Sequence, residues 1–531
     1  MINKKSVYLI SLISTLILFI TFDSKLFKLD SSIFTWDEIN YVKASKIGFL
    51  ENYLESKSKN FFEFIKIGKL KLSNQPIEKI ISTKKIKDLT NNDTFQLRHF
   101  HPPLYVYYLS FFLNDIHIEE IEIEVRKYHK YIGYFIIFLY LIIFYQLTKK
   151  SNLNLTNIII FFLIIFNFFY SEIFQTNLKN LNFHTFFSLI SILYFYSILK
   201  FLIKKNFKNI LRLSLSISLL FISLETAIFY IFFTFLYFIF FNIKERKYIF
   251  NYLFIIFLSL IIFIIIWPAN IFNLSIIKTY LMYFYRIFLS SYSEYENIGM
   301  GKLLSFNLIN NFNQYTLFFI IICISLFKFK YLNKKYYILV LFNLLLYFLF
   351  IILFSHHSNY IFPSFVILNL YAILLFFGTK IIINNLTLKF SIILIFFALS
   401  FFTFNSAYKK NFNLNLNSNT VEEIVNINRF IYENNNNLNK KDIILADGAH
   451  IFNFYLNNNF LNLELYNNYT TSFHIRIDYN YYDINNLIIK KDIPYIIIAK
   501  SRKININKIN YLINIGYKKI NFPNYYLFQL I

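Results

Sequence analysis

The sequence predicts a polytopic α-helical membrane protein of about eleven spanning helices, followed by a small C-terminal α/β extracytoplasmic domain. Three observations predict it. Apolar residues make up 57% of the chain and charged ones 15%, and the apolar residues fall into runs close to the ~20 needed to cross a ~30 Å hydrocarbon layer. Lys and Arg gather in alternate loops between those runs, the asymmetry that orients a membrane protein. From about residue 406 the long runs cease, and helix-like and strand-like segments alternate instead.

In chain order, the runs predict helices over Val7–Phe22, Tyr128–Leu147, Thr156–Tyr170, Phe183–Ile203, Leu213–Leu224, Ala227–Ile243, Ile249–Trp267, Tyr315–Leu326, Tyr336–Phe354, Tyr360–Gly378 and Phe390–Phe404. Val7–Phe22 follows Lys4 and Lys5 as a signal peptide would, but no small-residue cleavage site comes after it, so it is read as the first span. Leu213–Ile243 is too long for one helix and is divided at Glu225, where a charge would otherwise sit in lipid. Inside the expected spans ionisable residues look nearly absent, with His184 the main exception.

The positive-inside rule gives an independent check. With the N-terminus in the cytoplasm, the cytoplasmic side holds Lys4 and Lys5, Lys149 and Lys150, Lys200, Lys204, Lys205, Lys208 and Arg212, Lys244, Arg246 and Lys247, Lys328, Lys330, Lys334 and Lys335, and Lys380 and Lys389, with Glu245 their one acid. The short outer turns near Glu172–Lys179, at Glu225 and at His356–Asn359 carry almost no positive charge. The long loop 23–126 and the domain 406–531 then share the outer side, and residues 1–405 form the membrane domain. Within the long loop, Tyr41–Leu89 mixes Lys and Glu with apolar residues at roughly helical spacing, which suits helices lying at the interface. The tail predicts a helix over Val421–Asn435 and strands over Ile443–Ala446, Tyr495–Ile498 and Tyr525–Leu530.

Several function classes lose ground. A net charge of +24 would suggest nucleic acid in a soluble protein, but here the basic residues serve topology, and no nucleic-acid partner is expected. There is no G-x-x-x-x-G-K-[ST] or G-x-G-x-x-G sequence, so neither ATP hydrolysis nor a dinucleotide site is supported. An ion-coupled transporter needs buried carboxylates and broken helices near the midplane. The single Cys323 precludes an intrachain disulfide and a Cys-based metal site. His99 with His101, and His356 with His357, lack a defined third ligand, so no metal site and no cofactor are expected and a divalent cation has little support.

Two clusters on the outer side carry chemistry-bearing residues. The first is Phe34-Thr-Trp-Asp37-Glu38-Ile-Asn-Tyr41, shortly after the first span. Adjacent acids there suit a general base and an orienting group; the plainer alternative is the solvated start of a loop. Trp36 suits stacking on a sugar or anchoring at the interface equally well. The second is Arg98-His99-Phe100-His101-Pro102-Pro103-Leu104-Tyr105, whose prolines fix the backbone after a histidine and whose cations suit a phosphate. Glu225 is a further acid at an outer turn, either facing the same cavity or simply a turn residue.

In this order and on this side, the clusters resemble the polyprenyl-phosphate-dependent glycosyltransferases of the GT-C fold, in particular the protein O-mannosyltransferase and aminoarabinose transferase-like superfamily. The matching pieces are Asp37-Glu38 with Tyr41, His101-Pro102-Pro103-Leu104, Arg126 opening the next helix, and His357-Ser-Asn-Tyr360-Ile-Phe-Pro363 opening a late one. With an outer soluble tail, the resemblance covers the length of the chain. It implies a GT-C-like membrane domain in the plasma (inner) membrane, a polyprenyl-phosphate sugar donor, a lipid, glycan or protein acceptor of the cell envelope, and inversion at the anomeric carbon. It implies Asp37 as general base, with Tyr41, His357 and Tyr360 on the substrate; Glu38 suits orienting the acceptor or a cation, Arg98 and His101 suit the phosphate side, and Glu225 is either a residue of the cavity or a plain turn acid.

The chain departs from the family in two places. Asn359-Tyr360 stands where the family commonly has Arg-Tyr, leaving His356 or His357 as the cation there, and Phe100 replaces an acid that some members place before the Pro-Pro pair. The alternative from another class is a glycolipid flippase or an envelope assembly scaffold that binds lipid headgroups without chemistry. A polymerase or ligase of envelope glycans would place its large functional loop later in the chain.

Overall fold

The computed structural model describes residues 36–54, 102–113, 121–148, 155–224, 226–242, 246–268, parts of 362–373 and of 393–401, and, in the tail, 420–433, 444–447, 449–456, 460–464, 473–477, 480–500 and 506–531. The helices expected over Val7–Phe22, Tyr315–Leu326 and Tyr336–Phe354 lie outside these residues. The protein is mostly helical, with a small C-terminal sheet.

The membrane portion comprises α1 (Trp36–Lys46), α2 (Phe49–Leu54), α3 (Leu104–Leu113), α4 (Ile121–Thr148), α5 (Leu155–Phe169), α6 (Glu172–Lys179), α7 (Phe183–Ile203), α8 (Phe207–Ser223), α9 (Ala227–Asn242) and α10 (Arg246–Ile266). All six apolar runs expected between residues 128 and 267 are helices. Among the described residues, two helical stretches are long and apolar enough to cross a membrane, Glu124–Phe144 of α4 and Phe183–Ile203 of α7. The count becomes three if α5 and α6, bent by 54° about Ser171, form one broken span. Leu104–Leu113, Ala227–Leu236 and Phe250–Ile266 are apolar but shorter.

Polar caps set the joints between these helices. Ser171, Asn182 and Asn206 each accept a backbone N–H of the following turn, from Phe174, Thr185 and Asn209 respectively, which supplies an orphan donor of the helix start. Glu172–Lys179, expected as a plain outer turn, is therefore a helix, because Ser171 nucleates it and Ile173, Phe174 and Leu178 bury an apolar face. Serines bring α8 close to α10: Ser214 Oγ donates to Ile255 O at 3.1 Å and Ser218 Oγ to Ser259 O at 2.6 Å. Small hydroxyl residues one turn apart allow such close approach and supply interhelical hydrogen bonds. The opposite face of α10 exposes Phe250, Phe254, Phe257, Ile261 and Ile265, the apolar stripe that a lipid-facing helix presents.

The tail is a three-layer α/β/α unit. It contains α11 (Thr420–Glu433), β1 (Ile444–Ala446), α12 (Ala449–Leu456), β2 (Phe460–Glu464), β3 (His474–Ile477), β4 (Asn480–Asp483), α13 (Asn485–Ile489), β5 (Tyr495–Ala499), α14 (Ile506–Ile515), β6 (Tyr517–Asn521) and β7 (Tyr525–Leu530). The sheet order is β4-β3-β2-β1-β5-β7-β6, with β2, β1 and β5 mutually parallel at its centre. Strand residues alternate between two cores. Tyr495 and Ile497 face α11 and α12, while Ile496 and Ile498 face α13 and α14, the period of two that a sheet covered on both faces requires.

The tail also meets the membrane portion. Ile451 of α12 packs against both the membrane core, which includes Ile39 and Val42 of α1, and the tail core. The helix carrying Asp37 and Glu38 and the C-terminal domain thus lie at the same end of the molecule.

Candidate functional site

The acid pair opens α1 rather than lying in a solvated loop. Glu38 in the first turn and Lys43 and Lys46 in the last complement the helix dipole, and Gly48, with φ of 101°, ends the helix in a conformation that glycine adopts freely. Asn52 Nδ2 then donates to Ala44 O and Gly48 O, both at 2.8 Å, folding α2 back on α1. Pro102 and Pro103 precede α3, where proline's fixed φ suits a helix start, and Tyr107 N donates to Pro103 O at 2.9 Å. Ser45 Oγ donates to Tyr41 O at 2.7 Å and reaches Val106 O of α3 at 3.4 Å.

Glu38 is buried, 1% exposed, and makes a bidentate ion pair with Arg126 of α4. Arg126 Nη1 donates to Glu38 Oε1 at 3.0 Å and Nη2 to Oε2 at 3.1 Å. Two backbone groups at the α6–α7 joint complete the arrangement: Leu181 N donates to Glu38 Oε1 at 2.7 Å, and Arg126 Nη1 donates to Lys179 O. This two-pronged geometry gives directional strength beyond a point charge contact.

One turn further along α4, His129 is fully buried and bonded through both ring nitrogens. Nε2 meets Asn177 O at 2.9 Å and Nδ1 meets the Tyr105 hydroxyl at 2.8 Å. A carbonyl only accepts, so Nε2 carries the proton and Nδ1 accepts from Tyr105. The same Asn177 carbonyl accepts from Thr185 Oγ1 at 3.0 Å and Asn182 Nδ2 at 3.2 Å. The α6–α7 joint is therefore clamped from α4 at two points, through Arg126 and His129. Gly133 continues the stripe: a Cβ there would lie 2.5 Å from Leu178 Cδ2, so α4 and α6 touch closely enough that any larger residue would have to displace the Leu178 side chain.

Tyr41 is buried, with its ring edge-on to Tyr105 and to Phe183, both at 5.4 Å between centroids. Asp37 lies in the first turn of α1, one helical turn before Tyr41. Arg98, His101, Glu225, His357 and Tyr360 lie outside the described residues. The end of the late motif is described: Phe362 and Pro363 are buried, Phe362 lies 6.0 Å from Phe174 of α6, and Tyr140 of α4 donates to Val366 O. Of the matching pieces, Glu38, Tyr41, Arg126 and the Phe362–Pro363 end are thus assembled around α4 and α6.

The expectation of spans almost free of ionisable groups is corrected. Arg126, His129 and Lys130 are all buried in α4; for Arg126 and His129, ion pairing and hydrogen bonding to the 177–181 backbone offset the removal from water. The spacing of Arg126, His129, Lys130 and Gly133 is the i, i+3, i+4, i+7 of one helix face, and that polar stripe was the legible signal. Among the described residues no cluster of three or more metal-ligating side chains occurs. Neither a protein-family model nor a curated protein matches the chain.

Proposed function

We propose that this protein is a membrane glycosyltransferase of the GT-C type, with about eleven spans and its tail outside the plasma membrane, that transfers a sugar from a polyprenyl phosphate to an envelope acceptor with inversion. The observation that carries the reading is the buried bidentate pair between Glu38 and Arg126. It ties the acid pair of α1 to the opening of α4, joining two segments whose residues the resemblance marks in sequence but which lie 88 positions apart.

In this mechanism the Asp37 carboxylate takes the proton of an acceptor hydroxyl, whose oxygen bonds to the anomeric carbon as the bond to the lipid phosphate oxygen breaks. The departing phosphate keeps the electron pair and is stabilised by Arg98 and His101, with His357 and Tyr360 on the donor and Glu225 facing the cavity. Glu38, held by Arg126, fixes the orientation of the turn that bears Asp37, and Tyr41 packs that turn against α3 and α7. The donor carries the energy of the reaction, so no nucleotide is consumed.

The test is transfer of label from synthetic polyprenyl-phosphate sugars by the purified full chain in lipid. One of these donors is expected to lose its label to an acceptor while nucleotide sugars are inert. Asp37→Asn is expected to slow transfer by about 10²–10⁴-fold, and His101→Ala by about 10²-fold, with both variants still inserted and folded. Wild-type transfer by Asp37→Asn would end this reading.

A further inference from the structure

The tail holds a buried cation that the transfer reaction does not use. Lys508 is 4% exposed, and its Nζ has no hydrogen-bond partner among the described residues. The ammonium lies over the face of the Phe473 ring, 5.5 Å from Nζ to the centroid. Burial lowers the Lys508 ammonium below its ordinary pKa. An ammonium removed from water with neither counter-ion nor acceptor is unfavourable, and such groups persist where a ligand completes them.

Its place in the fold says what ligand. Lys508 lies in the first turn of α14, where the backbone N–H groups find no acceptor within the helix and the dipole is positive. Helical side chains lean towards the N-terminus, so the Lys508 stem runs towards that end. Strand β6 is antiparallel to β7, which is antiparallel to β5. Hence α14 is the crossover of a parallel β5-α14-β6 unit, and its N-terminus stands at the carboxyl-terminal edge of β1, β2 and β5. Phe473 immediately precedes β3, which runs antiparallel to β2, so it belongs to the same edge. Its backbone N–H is anchored by Asn485 Oδ1 at 2.8 Å, and its ring stacks on Tyr511 of α14. Open α/β sheets take ligands at this edge, and phosphate is the anion that helix starts there commonly hold.

We propose that the N-terminus of α14, with Lys508 and the Phe473 ring, is a phosphate-binding subsite of the tail that accepts the phosphoryl group of a solute or of a lipid headgroup. The helix start supplies N–H donors, the ammonium supplies the counter-charge, and the aromatic wall keeps water from competing. This subsite stands whether or not the membrane portion transfers sugars.

The test uses the full chain in detergent and Lys508→Met, which keeps the stem volume and removes the charge. Without phosphate, the Met variant is expected to melt no lower than wild type, because it loses an unpaired buried ammonium. With labelled inorganic phosphate, equilibrium dialysis should show near-stoichiometric binding to wild type and at least ~10-fold weaker binding to Lys508→Met, while Lys518→Met at an exposed position binds as wild type does. In parallel, dihexanoyl phosphatidic acid below its micelle concentration tests the second source: tighter binding than inorganic phosphate, lost in Lys508→Met, assigns the site to a lipid headgroup, and equal binding assigns it to a free phosphoryl solute. Failure of both probes to bind wild type, or equal binding by Lys508→Met, overturns the proposal.

Discussion

The Glu38–Arg126 pair can be measured by a double-mutant cycle. The two side chains are 2% and 5% exposed and meet through contacts of 3.0 and 3.1 Å. Replacing Arg126 with Met leaves the Glu38 carboxylate buried without that guanidinium while it still accepts from Leu181 N at 2.7 Å. Replacing Glu38 with Met leaves the guanidinium facing Lys179 O. Removing one partner of such a pair costs about 3–5 kcal/mol, so independent effects would sum to about 6–10 kcal/mol in the double variant. The double variant has no buried charge to strand; it orphans one backbone N–H and one carbonyl, at about 1–2 kcal/mol each. The expected double loss is therefore about 2–4 kcal/mol and the coupling at least ~2 kcal/mol. Reversible unfolding of the full chain in mixed micelles, followed by helical circular dichroism, supplies all four free energies. Strict additivity would refute the pairing of α1 with α4 on which the site is built.

The same packing makes further predictions. Gly133→Ala places a methyl 2.5 Å from Leu178 Cδ2 and should destabilise by about 1–3 kcal/mol, with Leu178→Ala costing less in that background than in wild type; equal costs would mean that α4 and α6 are not in contact. Fusing a reporter active only in the cytoplasm after Ile531 should give a silent protein, since the tail shares the end of α1; activity there would overturn the topology. Burial first, then Glu423 and Asp447, raise Tyr525 to about 12. A phenol whose folded pKa lies above its unfolded value of about 10 contributes stability that is fully present below pH ~10 and lost as pH rises towards 12. The tail's thermal midpoint should therefore fall between pH 10 and 12, and less so in Tyr525→Phe; an unchanged pH profile in that variant would remove Tyr525 from the titration.

The existence of the helices between 121 and 266 is decided by local pattern and was legible, although α4 and α8 begin at Ile121 and Phe207 rather than at the expected Tyr128 and Leu213. The run Phe183–Ile203 is α7 to the residue, since Asn182 caps one end and Lys204 and Lys205 end the apolar stretch at the other. The tail strands at 444–446 and 495–499 were equally legible, because central strands buried on both faces need unbroken apolar residues, and 525–530 was legible from its aromatic and apolar residues despite Gln529. Sequence also singled out Asp37 and Glu38 as residue types suited to the proposed chemistry, and the resemblance marked Arg126 as the opening of a helix. What it did not carry was their connection. The Glu38–Arg126 pair spans 88 positions and His129–Asn177 spans 48, and no local rule specifies a contact at that distance along the chain. The backbone acceptors at Asn177 and Lys179 left no sequence signal, since any residue supplies a carbonyl. The β5-α14-β6 crossover, which sets Lys508 at the carboxyl edge of the sheet, exists only once β7 has paired between β5 and β6. Burial of Arg126 and His129 was a tertiary decision: a polar or charged group in an apolar neighbourhood is excluded by its own solvation energy unless folding supplies the partner, and only the assembled structure determines which groups receive one.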